Sequence, residues 1–234
     1  MKLKHIIPAI ASIAMVGCGA MGSSANKPFE GQITMGSSIE LPEEYQEMAA
    51  QFEGMLPEAI LIASDGKDFG VKMDGMNAVQ RVVRVEEGMI YMASGQDLIK
   101  QKLSTEPADD TGMEDVTVEK IEETREILGY TCTGYRMDMG AGGQAGVATF
   151  YTTEDINFNP PVNSGIISVP ANVRSQMSGT VLRIEQEMNQ MGMEMKIIIE
   201  ATGIQEGAEA AQAVLTMPEG EYEEMETMME EPMD

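Results

Sequence analysis

The side chains that could carry chemistry are few in kind. The chain has one histidine, His5, and two cysteines, Cys18 and Cys132, against 23 methionines, 39 acids and no tryptophan. Methionine is the feature that asks for an explanation. Written as an extended strand, Met191, Met193, Met195, Ile197 and Ile199 share one face, and Met137 and Met139 share another, because side chains alternate along a strand. Such faces have three uses. Thioethers fill an ordinary core in place of leucine. They also line cavities that adapt to irregular apolar ligands. Clustered, they bind Cu(I), a soft ion that selects soft donors; Met188 to Met195, and Met225, Met228, Met229 and Met233, have the spacing for it. Such copper sites usually add a histidine or cysteine, and only Cys132 is at hand.

The remaining candidates are weaker. Glu106 to Asp115 holds five acids, but it lacks the EF-hand spacing and terminal Glu that calcium binding would use, and it has the composition of a solvated loop. Gly140 to Gly146 lacks the Lys-Ser/Thr end of a phosphate loop. Cys132 has Arg136 on its strand face and otherwise neutral neighbours. A reactive thiol needs stronger positive surroundings, so Cys132 is expected to be a small buried hydrophobe. No metal and no cofactor is implied.

The start of the chain decides how much of this chemistry is available. Lys2 and Lys4 precede an apolar run from Ile6 to Val16, then Gly17 and Cys18. The run is too short to span a bilayer, which takes about 20 residues, and it has the anatomy of an export signal. Met15-Val16-Gly17-Cys18 resembles the lipobox of bacterial lipoproteins. That resemblance implies cleavage before Cys18, lipidation of its sulfur and amine, and a membrane tether, since two or more acyl chains anchor stably. Two consequences follow. His5 leaves with the signal, which excludes Ser-His-Asp and Cys-His catalysis and His-ligated metals. Cys132 loses its one possible intrachain partner, so no disulfide is expected. The exported chain would keep 39 acids against 13 bases (15 less Lys2 and Lys4), a net charge of −26. A polyanion of that size disfavours nucleic acid and anionic lipid surfaces.

The elements that must position the methionines are mostly strands. Residues 19 to 27 form a Gly/Ser-rich tether. Phe29 to Met35 alternates as a half-buried strand. Pro42 opens an amphipathic helix whose stripe is Tyr45, Met48, Ala49, Phe52, Met55 and Leu56. Short strands and turns then recur every eight to twelve residues from Ala59 to Leu103, the mark of an antiparallel meander. Strands are expected at 116–127, 130–139, 145–153, 180–188 and 191–200, a short helix at 170–177, and a closing strand at 214–217. The resulting expectation is a mainly β (α+β) protein. A single curled antiparallel half-barrel sheet of about ten strands carries one or two helices over its concave side. Its organisation is a lipoprotein signal peptide at 1–17, a flexible tether at 18–28, the half-barrel at 29–218 and an acidic disordered tail at 219–234.

Ile127-Leu128-Gly129-Tyr130-Thr131-Cys132, with Ala148 to Ile156 (ATFYTTEDI), resembles a pattern in exported bacterial proteins. They include the uncharacterised family catalogued as domain of unknown function 4412. Phe29 to Met35 and Met217 to Gly220 fit the same family's two ends, and Phe150 stands where tryptophan is common. Such families are similar in architecture to the LolA/LolB lipoprotein carriers, which implies an unclosed half-barrel with a hydrophobic cavity under its helices. The function expected is therefore a non-enzymatic, lipid-anchored envelope protein that binds a hydrophobic ligand, lipid or lipoprotein acyl chain. Tyr45, Met48, Phe52, Met55, Met191, Met193, Met195 and Ile197 would line the cavity, and Cys18 would hold the membrane. Gly19 and the absence of an acidic run after Cys18 imply the periplasmic face of the outer membrane. The rivals are a structural or partner-binding lipoprotein with a filled core and, less favoured, a periplasmic Cu(I) binder. No protein partner is implied.

Overall fold

The computed structural model describes residues 27–45, 54, 56–75, 78–104, 116–139, 146–161, 163–166, 169–190 and 193–225. Alternating sequence becomes alternating burial. In the first strand, β1 (Glu30–Glu40), Ile33 and Met35 are buried while their neighbours are not. Five short strands follow: β2 (Ala59–Asp65), β3 (Phe69–Asp74), β4 (Val79–Arg84), β5 (Met89–Ser94) and β6 (Asp97–Lys102). Five longer ones come next: β7 (Val118–Ile127), β8 (Tyr130–Asp138), β9 (Gly146–Thr153), β10 (Thr180–Gln190) and β11 (Met193–Glu206). A two-residue β12 (Glu223–Glu224) ends the set.

These are 12 strands of one sheet, in the order β12-β6-β5-β4-β3-β2-β1-β11-β10-β9-β8-β7. About ten strands were expected from the sequence. Of the twelve, β12, inside the acidic end, was not among those expected. Two antiparallel meanders, β1–β6 and β7–β11, are joined where β1 lies against β11 along its whole length. Every neighbouring pair is antiparallel except β12 on β6. The sheet does not close: β12 and β7 are its edges.

The tight turn between β7 and β8 explains part of the Ile-Leu-Gly-Tyr motif. Leu128 and Gly129 both have positive φ, 52° and 85°, between the paired Ile127 and Tyr130. Two such residues make the hairpin turn whose twist suits antiparallel strands.

Register divides the sheet into two sides. One side, here the strap side, carries Ile33, Met35, Val71, Val83 and Ile90 under Phe158 and Ile166. Phe158 sits edge-to-face on Phe69, with ring centres 5.5 Å apart. Farther along, Tyr135, Met137 and Phe150 pack against Val169 and Val173, the latter on the one-turn helix α1 (Ala171–Arg174). The other side carries Leu61, Ala63 and Val82 under the helix α2 (Ala208–Leu215). Ala211, Val214 and Leu215 form its inward stripe, at the i, i+3, i+4 spacing. Its last carbonyls are capped from the sheet. Gln80 Nε2 donates to the oxygens of Val214 and Thr216, both at 2.8 Å, and Arg84 Nη2 donates to that of Leu215 at 2.8 Å. A cation at a helix C-terminus is favourable.

One expected element changes, and another lies mostly outside the described residues. Residues 214–217, expected as a strand, end a helix. Alanine is the best helix former, and Ala208-Glu-Ala-Ala-Gln-Ala-Val-Leu215 is half alanine, with too few large apolar residues to show a period. Of the helix expected after Pro42, the described part is a 3-10 turn, Glu43–Tyr45, where the Tyr45 amide donates to the Pro42 oxygen at 2.9 Å. Most of the rest of that segment lies outside the described residues. Among the described residues, the helix that packs on the sheet is α2, near the chain end. The acidic end expected to be disordered from 219 is placed as far as Met225.

Candidate functional site

The strap side holds a cavity of about 90 Å³ between the sheet and the segment that crosses it. Ile33 and Met35 reach it from β1, Ile60 and Ile62 from β2, Val71 and Met73 from β3, and Ile184 and Ile199 from β10 and β11. Phe158, Gly165 and Ile166 close it from above. Among the described residues Thr180 is the single hydroxyl in the lining, and it is engaged. It donates to the Ile156 oxygen at 2.6 Å and accepts from the Phe158 amide at 3.1 Å. A largely apolar, half-buried wall whose one hydroxyl is bonded favours apolar contents, because an unpaired polar group would cost about 1–3 kcal/mol.

The cover is fastened at both ends by arginines. Arg81 Nη1 donates to the Gly165 oxygen at 3.2 Å. Gly165 has φ 64°, and a Cβ there would lie 1.6 Å from Arg81 Nη1, so glycine allows both the turn and the contact. Arg81 Nε is buried without a partner, and burial pushes the guanidinium below its ordinary value. At the other end Arg174 donates to the Pro160 oxygen at 2.9 Å and to Asn159 Oδ1 at 2.5 Å.

A second hollow, of about 540 Å³, lies where β1 ends and β10 turns into β11. Met188 and Met195 face each other there across the ladder, beside Glu40, Glu187, Glu194 and Lys196. Its lining mixes charge with thioether.

The expected lining residues separate on inspection. Met195 is buried at the second hollow, Met193 and Ile197 are half-buried on β11, and Tyr45 is half-buried at the end of the 3-10 turn. None of these four lines the apolar cavity. Cys18, Met48, Phe52, Met55 and Met191 lie outside the described residues. Of the methionine face on β11, only its continuation Ile199 reaches the cavity. The residues missed are those of β1 to β3. Their alternation was visible, but nothing in it says that three strands and a distant segment leave a gap between them.

The helix side of β9 to β11 carries a different cluster. Glu185 is 5% exposed and meets Arg183 Nε at 2.6 Å, Lys196 Nζ at 2.5 Å and Arg125 Nη1 at 3.0 Å. Arg183 also pairs with Glu200. Burial alone would raise the Glu185 carboxyl, but Lys196 and Arg183 outweigh it and hold it below its ordinary value. Arg125 stacks over Tyr151 at 4.7 Å, and the Tyr151 hydroxyl donates to Glu123 at 2.9 Å. Burial and that bond push Tyr151 up to about 12. Cys132 is fully buried, and burial, with Asp155 and Glu200 adding, pushes its thiol up to about 11. A thiol so shifted is a poor nucleophile at neutral pH. Among the described residues no group of three or more His, Cys, Asp or Glu is arranged to hold a metal, and no helix is long and apolar enough to cross a membrane.

No family model matches the chain, and no curated protein matches it. One solved structure, described as "Structure of PNGF-II in C2 space group", is similar to it over 84% of this chain and 31% of its own, at 12% identity and a TM-score of 0.47. The chain thus spans about a third of that structure's length. A likeness of that size carries no argument about function.

Proposed function

We propose that this is a non-catalytic, lipid-anchored envelope protein, tethered through Cys18 at the periplasmic face of the outer membrane. Its curved, half-barrel sheet takes an apolar ligand on the strap side. The observation that carries this reading is the partly open apolar cavity whose one hydroxyl, among the described residues, is already bonded. Its size bounds the ligand. At about 90 Å³ it is smaller than the roughly 150 Å³ engineered cavity that admits benzene. It takes the end of an acyl chain or a small apolar group. A whole chain enters only if Phe158 and Ile166 lift from the sheet.

The same volume favours the rival, a partner-binding or structural lipoprotein whose core is filled. The two readings part on one experiment. The exported chain carrying Cys18→Ala, so that no lipid is attached, is purified without detergent and examined by native mass spectrometry. Co-purifying lipid, or capture of added lauric acid that Ile60→Phe abolishes by filling the void, is the expected result. A ligand-free protein that ignores lauric acid would establish the filled core instead.

A further inference from the structure

The two edges of the sheet are protected by different means. β7 carries exposed Glu119, Lys120, Glu122, Glu123 and Glu126 and an irregularity between Lys120 and Thr124. Charge and bulging both discourage pairing with another strand. β6 has only its end residues, Asp97 and Lys102, exposed, and its middle is half-buried. There the chain's own end is laid down. Glu223 and Glu224 pair in parallel with Ile99 and Lys100, and the Met225 amide donates to the Lys100 oxygen at 2.9 Å.

The contact is specific along its length. Tyr222 stands edge-to-face on Tyr91 with ring centres 5.4 Å apart, and its hydroxyl donates to the Pro218 oxygen at 2.8 Å. Glu224 pairs with Lys100 at 3.2 Å. The backbone at Gly220 runs so close to Leu98 that a Cβ would lie 2.4 Å from its Cδ1. The side chains of Glu223 and Glu224 are nonetheless exposed, so what this strand covers is backbone. Since the Lys100 carbonyl points at β12, its N–H points there too, as both groups of a residue do in an antiparallel strand. An uncovered β6 would present these groups to any extended chain.

We propose that residues 219–225 are an edge guard, which keeps two copies of this chain from joining through β6. The acceptor is the outward backbone of Leu98 and Lys100, and the occupant after release of the guard is β6 of a second copy. Among the described residues, this acidic segment is what covers that edge.

The test uses the exported chain with Cys18→Ala. Met225→Pro removes the donor of the bond to Lys100 and, combined with Tyr222→Ala, the aromatic anchor. Hydrogen exchange should show the outward Lys100 amide losing protection, and light scattering should show association strengthened by about tenfold or more. Adding Lys100→Pro, which removes an outward N–H while sparing the ladder to β5, should return the protein to a monomer. Gln101→Glu, which brings like charges together across the new pair, should do so if Lys100→Pro disturbs the fold. A released guard with no gain in association would overturn the proposal. So would association that persists through both β6 changes, or a Lys100 amide that stays protected in the double variant.

Discussion

One side of one sheet is covered in two unlike ways. Over β2 to β4, α2 seals it with Ala211, Val214 and Leu215 against Ala63 and Val82. Gly70 lies close enough that a Cβ would meet Leu215 and Val214 at 3.0 Å. Over β9 to β11 no described helix lies on the sheet, and the side chains seal it themselves. Arg183, Glu185, Lys196 and Glu200 pair across strands, and Arg125 folds over Tyr151. Small residues are the requirement in the first half, because they let the helix approach. Matched charges are the requirement in the second, because a carboxylate out of water must be paired. The halves should therefore respond differently to the same perturbation.

Glu185→Ala should be the most damaging change. It leaves Arg125, Arg183 and Lys196 crowded without their shared anion, and loss of one partner of a buried pair costs about 3–5 kcal/mol. Chemical denaturation checks this, and added salt should reduce the loss, since Arg125 and Lys196 reach solvent. The acid limb follows from the same group. Its carboxyl is held below its ordinary value, so its contribution is complete above the unfolded value, about 4.3. The contribution is lost as the pH falls through the lower folded value.

Leu215→Ala should cost somewhat less, about 3 kcal/mol, by opening a cavity under α2. In contrast with Glu185→Ala, its effect should not change with salt. Equal salt dependence for the two variants would erase the distinction between the halves.

The smallest effect belongs to Cys132. Its thiol is pushed up to about 11, so the folded state holds the proton after the unfolded state has lost it. Stability should fall by about 2 kcal/mol as the pH rises from about 9 to 11. Denaturation curves of Cys132→Ala should lack that part of the alkaline slope.

The strands were legible because each half-buried strand repeats its signal every second residue: Phe69-Gly-Val-Lys-Met shows it within five residues. The turn at Leu128-Gly129 was legible through its glycine. What stayed hidden depends on partners far away in the chain. Glu185 looks like one more surface acid until Arg125 and Lys196 are brought to it. The eight residues of α2 give barely two turns of pattern, and their alanines hide the apolar stripe. β12 is held by Tyr222 on Tyr91 rather than by any strand-forming tendency of Glu223 and Glu224. The cavity is the deepest case: its walls are ordinary core residues, and only their spacing in three dimensions leaves room.

That room is the central claim, and methyl NMR during a titration with lauric acid tests it most directly. The expected result is a saturable shift of the methyls of Ile33, Ile60, Ile62, Met73 and Ile199, with Met188 and Met195 unmoved. Silence at those isoleucines, or shifts confined to the Met188–Met195 hollow, would contradict it.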